Sequence, residues 1–174
     1  MEILGRAPEL ALKNWYLGAG CISQTIWNEL HGFQPEQHIK DYDLVYFDSS
    51  DLSYGAENSF IEQGASMFKD LGVKVEIRNE ARVHLWYKDH FGQAIEPYRS
   101  CEDAISSWPT TATSVGVTTG SGEFRVFAPF GLSDLFAMVV RPNKRQVTKE
   151  VYMEKASRWA SIWPKLDVIR WEDA

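Results

Sequence analysis

The chain has 174 residues, 44% of them hydrophobic, two cysteines and a formal net charge of -6. This length and apolar content fit one globular domain with a sizeable core, and we expect that domain to span residues 1–174. The negative charge argues against strong general nucleic-acid binding, because coating a polyanion requires many cations. Two cysteines are too few for a disulfide framework.

The chain carries no membrane or export signal that we can identify. No segment reaches the roughly 18 consecutive apolar residues that a membrane span needs, and the amino terminus lacks the basic start and apolar run of a signal peptide. We therefore expect a cytoplasmic protein with no membrane partner.

The first half of the chain predicts alternating helices and strands. After the glycine turn Gly18-Ala19-Gly20, apolar residues recur at three-to-four spacing, which predicts a helix over 21–30. Apolar and alternating runs predict strands at 44–47 and 73–78. The other elements expected here are a short helix over 7–13, a strand or turn at 15–17 and a helix over 54–71.

The second half predicts more helix than strand. Alternating apolar residues on both sides of Gly120-Ser121-Gly122 predict a hairpin made of 114–119 and 123–128. The helices expected after residue 80 cover 81–87, a segment from about 100 that ends at Trp108-Pro109, 132–140, and a final helix over 148–163 packed on the domain.

A pair of acids, Asp41 and Asp43, stands at the start of the 44–47 strand. Side chains alternate along a strand, so these two carboxylates project from the same face, and paired oxygen ligands suit Mg²⁺. The ordinary alternative is an acidic strand entrance. Glu76, between two β-branched residues on the next strand, is the candidate third carboxylate, and its alternative is an exposed acid paired with Lys74 or Arg78.

These residues resemble a known family. The likeness rests on Trp15-Tyr16-Leu17-Gly18-Ala19-Gly20-Cys21-Ile22, Ile26-Trp27, Asp41-Tyr42-Asp43-Leu44-Val45-Tyr46-Phe47-Asp48, Asn79-Glu80-Ala81-Arg82-Val83-His84-Leu85-Trp86-Tyr87, Trp108-Pro109 and Ala128-Pro129-Phe130-Gly131-Leu132. From about residue 15 to 163, the chain is similar to the small bacterial nucleotidyltransferase family of unknown function, in the polymerase-beta-like nucleotidyltransferase superfamily.

The resemblance implies an α+β fold with a mixed β-sheet and flanking helices. It also implies transfer of NMP from an NTP to an unknown hydroxyl acceptor, with Asp41, Asp43 and Glu76 as catalytic residues that hold Mg²⁺ or Mn²⁺. The family's second glycine element is usually Gly-Gly or Gly-Ser, whereas this chain has Ala19-Gly20.

Four residues are candidate nucleotide ligands. Gly18 and Gly20 leave room for backbone N–H groups to approach a phosphate at the start of a helix, and Ser23 is a candidate hydroxyl donor. Arg82 is a candidate phosphate contact. A basic run, taken as a solvated helix surface in preference to an acceptor-binding patch, consists of Arg141, Lys144, Arg145, Lys149, Lys155 and Arg158.

Two other functions stay open on the sequence. A noncatalytic nucleotide-sensing or protein-binding module could retain the same fold, and this reading is favoured if Glu76 points away from the aspartates. A phosphotransfer protein that uses water as the acceptor would release free NMP. The absence of a Gly-x-x-x-x-Gly-Lys-Ser/Thr loop and of a Gly-x-Ser-x-Gly elbow excludes P-loop ATPases and serine hydrolases.

Overall fold

A computed structural model of the chain describes residues 2–174. The helices within this range are α1 (Glu2–Arg6), α2 (Gly20–His31), α3 (Tyr54–Met67), α4 (Val83–Phe91), α5 (Cys101–Ile105), α6 (Ser133–Phe136) and α7 (Lys149–Ile162). The strands are β1 (Tyr16–Gly18), β2 (Tyr42–Tyr46), β3 (Val75–Asn79), β4 (Gly116–Thr118), β5 (Arg125–Phe127), β6 (Val139–Val140) and β7 (Asp167–Val168). Short 3₁₀ segments cover Ala7–Leu10, Lys69–Leu71, Glu80–Arg82 and Trp171–Asp173.

Five strands form one mixed sheet in the order β3-β2-β1-β4-β5. β2 and β3 are parallel and are joined through α3, whereas the other neighbouring pairs are antiparallel. The register places Asp43 beside Gly18 of β1 on one side and beside Glu76 of β3 on the other. The predicted α+β fold with a mixed sheet and flanking helices is confirmed.

One face of this sheet is covered by apolar packing. Leu17, Leu44 and Ile77 come from three adjacent strands and are buried together with Phe68, which follows α3. Side chains alternate along a strand, so the residues that precede and follow Leu17, Leu44 and Ile77 project from the opposite face. Asp43, which precedes Leu44, is one of them. The sheet thus separates a hydrophobic core from the face that carries the acids.

A second core lies between α2 and α7. The Trp27 ring of α2 packs edge-on against the rings of Trp159 and Trp163, with centroids 5.6 Å apart in each pair. The Trp163 indole N–H donates to the Asn28 side chain at 2.8 Å, and this bond fixes the end of α7 against α2. The three tryptophans are therefore core residues.

The helix expected over 132–140 is wrong. α6 ends at Phe136, and Val139–Val140 forms β6, which pairs in parallel with β7, a strand that the sequence did not suggest. Met138, which lies between α6 and β6, has φ of 58°, a left-handed conformation that cannot continue a right-handed helix. An apolar run this short has no periodicity that separates helix from strand.

Among residues 2–174, no helix combines the length and apolar character that crossing a bilayer requires.

Candidate functional site

Asp41 and Asp43 border a cavity of about 520 Å³ on the polar face of the sheet. Asp43 is the second residue of β2 and Asp41 immediately precedes that strand. The cavity is bounded by the start of α2, by Arg78 of β3, by α4 and by α7. The two aspartates therefore sit where four separate elements meet.

The positive charges near Asp43 do not offset the burial of its carboxylate and the negative charges beside it. Burial, followed by the charges of Asp41 and Glu76, raises the pKa of Asp43 to about 6, although Arg78 and Lys155 act in the opposite direction. A carboxylate held next to like charges is stabilised by any cation that enters the cavity.

Glu76 lies next to Asp43 in the register, but its carboxylate is already paired. Lys74 donates to one oxygen and Arg78 donates to the other at 3.3 Å. The Lys74 hydrogen bond lowers the pKa of Glu76 below its ordinary value. Pairing with Lys74 or Arg78 was the alternative that the sequence left open, and the structure shows both contacts.

The structure does not assemble the three acids into a finished metal site. Within residues 2–174, no group of three His, Cys, Asp or Glu side chains is placed to hold a metal ion together. Asp41 and Asp43 nevertheless fit a divalent ion, because Mg²⁺ is commonly held by one or two carboxylates, with substrate phosphates and water as the other ligands. The raised pKa of Asp43 is consistent with such a site.

The glycine turn shapes the entrance to α2. Ala19 has φ of 58° and ψ of -133°, a backbone conformation that is normally reserved for glycine. Its N–H donates to the Val115 carbonyl at 3.1 Å, and no side chain caps the helix that follows. Ala19, Gly20 and Gln24 line the cavity, so the positive end of the α2 dipole lies at its wall.

The two glycines differ in what they do. A Cβ on Gly18 would lie 2.7 Å from the Trp108 ring and 2.8 Å from the Val115 carbonyl oxygen, so Gly18 is required for close packing. A Cβ on Gly20 would meet only the flexible Gln24 side chain within 3 Å. Gly20 lines the cavity wall, whereas Gly18 supports the turn from behind.

Besides Gly18, two other predicted nucleotide ligands are absent from the cavity lining. The Ser23 hydroxyl is buried and lies within hydrogen-bond distance of the Ala19 and Ala112 carbonyls, at 3.2 and 3.1 Å. The Arg82 guanidinium pairs with the buried Glu57 carboxylate and donates to the Leu52 carbonyl at 2.9 Å. These contacts support structural roles for Ser23 and Arg82.

Other basic residues, outside the four candidate nucleotide ligands named from the sequence, line the same cavity as the aspartates. Arg78 of β3 and Lys155 and Arg158 of α7 all line the cavity. Lys155 and Arg158 belong to the basic run that was interpreted as a solvated surface. Their residue type was visible in the sequence, but more than 100 positions separate them from the aspartates, and only the fold brings the two together.

Aromatic side chains form a further part of the cavity lining, here called the aromatic wall. It consists of Trp86, Tyr87, His90, Phe91 and Trp108. The Arg78 guanidinium lies over the Trp86 ring, 5.5 Å from its centroid. Trp86 and Trp108 both border the open space of the cavity, where a planar group can stack on them.

Two further titratable groups adjoin the site. Glu80, which the sequence did not single out, is 6% exposed on the cavity wall, and burial raises the pKa of its carboxyl to about 8. Burial, followed by the charge of Asp43, raises the pKa of the Cys21 thiol to about 12. Cys21 is therefore a packing residue and not an activated nucleophile.

Comparison with known proteins identifies the family. A family model described as a nucleotidyltransferase matches residues 5–168. A solved NMR structure, described as revealing a CCA-adding enzyme head domain, is 27% identical with a TM-score of 0.79, and the match covers 98% of this chain and 88% of that one. No curated protein sequence matches this chain.

Two larger structures share the fold. They are described as a tRNA-processing enzyme in an apo form and a tRNA-processing enzyme with CTP, both 15% identical, with TM-scores of 0.51 and 0.54. The matches cover 97% of this chain but only 45% and 43% of those chains. The fold and the family match over nearly the whole chain agree, and this chain belongs to the nucleotidyltransferase family.

Proposed function

We propose that this protein is a cytoplasmic, divalent-metal-dependent nucleotidyltransferase that moves NMP from an NTP to a hydroxyl acceptor. The observation that carries the proposal is the position of Asp41 and Asp43. They border a cavity that also has the uncapped start of α2 and an aromatic wall. A nucleoside triphosphate presents the matching chemistry, namely a polyanion joined to a planar base.

The two aspartates would hold Mg²⁺ or Mn²⁺ in this proposal. When bound, such an ion neutralises charge on the triphosphate and lowers the pKa of the attacking hydroxyl. Glu76 is adjacent to Asp43 in the sheet register, and we propose it as a third carboxylate once Lys74 and Arg78 turn to the substrate. The backbone N–H groups at the start of α2 would orient the phosphates.

The donor base and the acceptor are proposed from two relatives. One related fold is described with CTP, which makes CTP the first donor to test. The relative described as a CCA-adding enzyme head domain makes the terminal hydroxyl of tRNA the first acceptor to test. The net charge of -6 means that binding of such an acceptor would depend on a local basic surface.

A noncatalytic nucleotide-sensing module is the second candidate, and one observation favours it. The Glu76 carboxylate is paired with Lys74 and Arg78, so only two of the three predicted acids, Asp41 and Asp43, are available to a metal ion. Such a protein would bind an NTP and Mg²⁺ without turnover.

The test is a transfer assay with α-labelled CTP, ATP, GTP or UTP, tRNA and Mg²⁺ or Mn²⁺. Asp41→Asn and Asp43→Asn should each reduce labelling of the acceptor by at least about 100-fold while leaving the fold intact. Asp70→Asn is the matched control, because Asp70 is exposed and pairs with Arg6 away from the cavity.

Each outcome selects one function. Metal-dependent labelling that both aspartate variants lose supports the nucleotidyltransferase. Binding without labelling supports the sensing module, and free NMP without acceptor supports transfer to water. If calorimetry finds no NTP affinity with either metal, the proposed function is wrong.

A further inference from the structure

The six basic residues between positions 141 and 158 divide into two groups. Four of them have partners away from the cavity. Arg141 donates to Asp134 at 3.1 Å, Arg145 donates to Asp103 at 2.5 Å, Lys149 pairs with Glu172, and Lys144 donates to the Ala174 carbonyl at 2.5 Å. These contacts hold the four side chains outside the lining of the cavity that contains Asp41 and Asp43.

Lys155 and Arg158 form the second group. Among residues 2–174, neither side chain makes a salt bridge or a hydrogen bond, and both line the cavity that contains Asp41 and Asp43. Burial, followed by the charge of Arg158, lowers the pKa of Lys155, although the charges of Asp43, Glu154 and Asp41 act in the opposite direction. Two neighbouring cations that no carboxylate of the described residues pairs with directly are stabilised by a ligand anion that contacts both.

The helix that carries these cations is firmly anchored. Tyr152, Ala156 and Trp159 of α7 are buried against the second core. Lys155 and Arg158 are three positions apart and therefore project from adjacent turns on the same side of the helix. The anchored backbone limits how far the two charged groups can move, which reduces the entropy lost when they grip a ligand.

We propose that Lys155 and Arg158 form a polyphosphate clamp that binds the terminal phosphates of the incoming NTP and holds the departing pyrophosphate. This inference rests on the proposed function and deepens it, since it makes α7 part of the active site. The start of α2 and the clamp would then contact the phosphate chain from two sides of the aspartates. Glu154, also on this wall, would stay directed to solvent.

Inorganic tripolyphosphate is the probe, because it carries the phosphate chain without a base. Calorimetry with Mg²⁺ should show that Lys155→Met and Arg158→Met each weaken tripolyphosphate binding by about 10-fold or more, as expected for the loss of a charge-assisted contact. Binding of cytidine, which lacks phosphates, should be unchanged. Lys149→Met removes the same charge from the same helix but away from the cavity, and it should bind tripolyphosphate as the parent does.

Thermal unfolding separates loss of binding from loss of fold. If Lys155→Met unfolds, Lys155→Arg and Arg158→Lys keep the charges and should retain tripolyphosphate affinity within about 3-fold. The clamp is wrong if the parent fails to bind tripolyphosphate, if the folded Met variants bind it normally, or if Lys149→Met weakens it equally.

The results also separate this inference from the proposed function. Clamp-dependent binding of tripolyphosphate without any transfer would leave the clamp in place and overturn the enzymatic proposal. If transfer requires Asp43 but is unchanged by Lys155→Met and Arg158→Met, the enzymatic proposal stands and the clamp is wrong.

Discussion

Replacing Asp43 by Asn should make the protein more stable while it removes activity. The Asp43 carboxyl is largely buried and faces the charges of Asp41 and Glu76, and these causes raise its pKa from 3.8 to about 6. Asparagine has nearly the same shape and never acquires the charge. The free energy of unfolding falls in the parent when Asp43 ionises, and the variant does not undergo this loss.

The size of the effect follows from the pKa difference. Each pKa unit corresponds to about 1.36 kcal/mol, so a rise from 3.8 to about 6 corresponds to roughly 3 kcal/mol. The folded state binds the proton more tightly than the unfolded state does. The protonated Asp43 carboxyl therefore contributes this stability to the fold in full below pH 3.8, and the contribution is lost as the pH rises through about 6.

The assay is denaturant unfolding of the parent and Asp43→Asn between pH 4 and pH 8. We expect the variant to gain roughly 3 kcal/mol at pH 8 and close to none near pH 4, with a rise in melting temperature of roughly 6 to 12 °C at the higher pH. Addition of Mg²⁺ should narrow the gap by stabilising the parent alone.

Asp48→Asn supplies a control of opposite sign. The Lys13 hydrogen bond holds the pKa of Asp48 at about 2, so its stabilising contribution is present above pH 3.8 and is lost as the pH falls through about 2. This variant should be less stable than the parent at pH 8. If Asp43→Asn has no advantage at pH 8, or the same advantage at every pH, the electrostatic account of the site is refuted.

Three further substitutions test the supports of the site by denaturant unfolding. Gly18→Ala should destabilise by roughly 1 to 3 kcal/mol, because its Cβ would lie 2.7 Å from the Trp108 ring. Ala19→Gly should stabilise by about 1 kcal/mol, because the strain at φ of 58° and ψ of -133° outweighs the added chain entropy of glycine. Glu57→Ala should destabilise by roughly 3 to 5 kcal/mol, because it leaves the largely buried Arg82 without its carboxylate partner.

Matched controls isolate these effects. Gly55→Ala starts from a glycine whose Cβ would meet nothing closer than 3.9 Å and should be neutral or slightly stabilising. Ala65→Gly, at an exposed position in the last turn of α3, should cost up to about 1 kcal/mol, opposite to Ala19→Gly. Equal effects at Gly18 and Gly55, or at Ala19 and Ala65, would contradict the local geometry, and a neutral Glu57→Ala would contradict the buried ion pair.

Local patterns predicted the elements best where one face of a helix or strand is apolar. The helices over 21–30 and 148–163 correspond to α2 (Gly20–His31) and α7 (Lys149–Ile162) because each buries a periodic stripe. The pattern failed at 132–140, where a short apolar run ends one helix and begins a strand. Side-chain periodicity indicates which face of a helix or strand is buried, but it does not indicate that the backbone turns at Met138.

By itself, the sequence determined the acidic pair, the glycine turn and the alternating elements that bring them together, because these depend on neighbours a few residues apart. Only the tertiary structure decided that Ser23 bonds to a backbone carbonyl and that Arg82 pairs with Glu57. It also decided that Glu76 is paired with Lys74, and that Lys155 and Arg158 line the same cavity as the aspartates. Charge and hydrogen-bond partners across more than 100 residues are fixed by how helices pack on the sheet, and no local spacing encodes that choice.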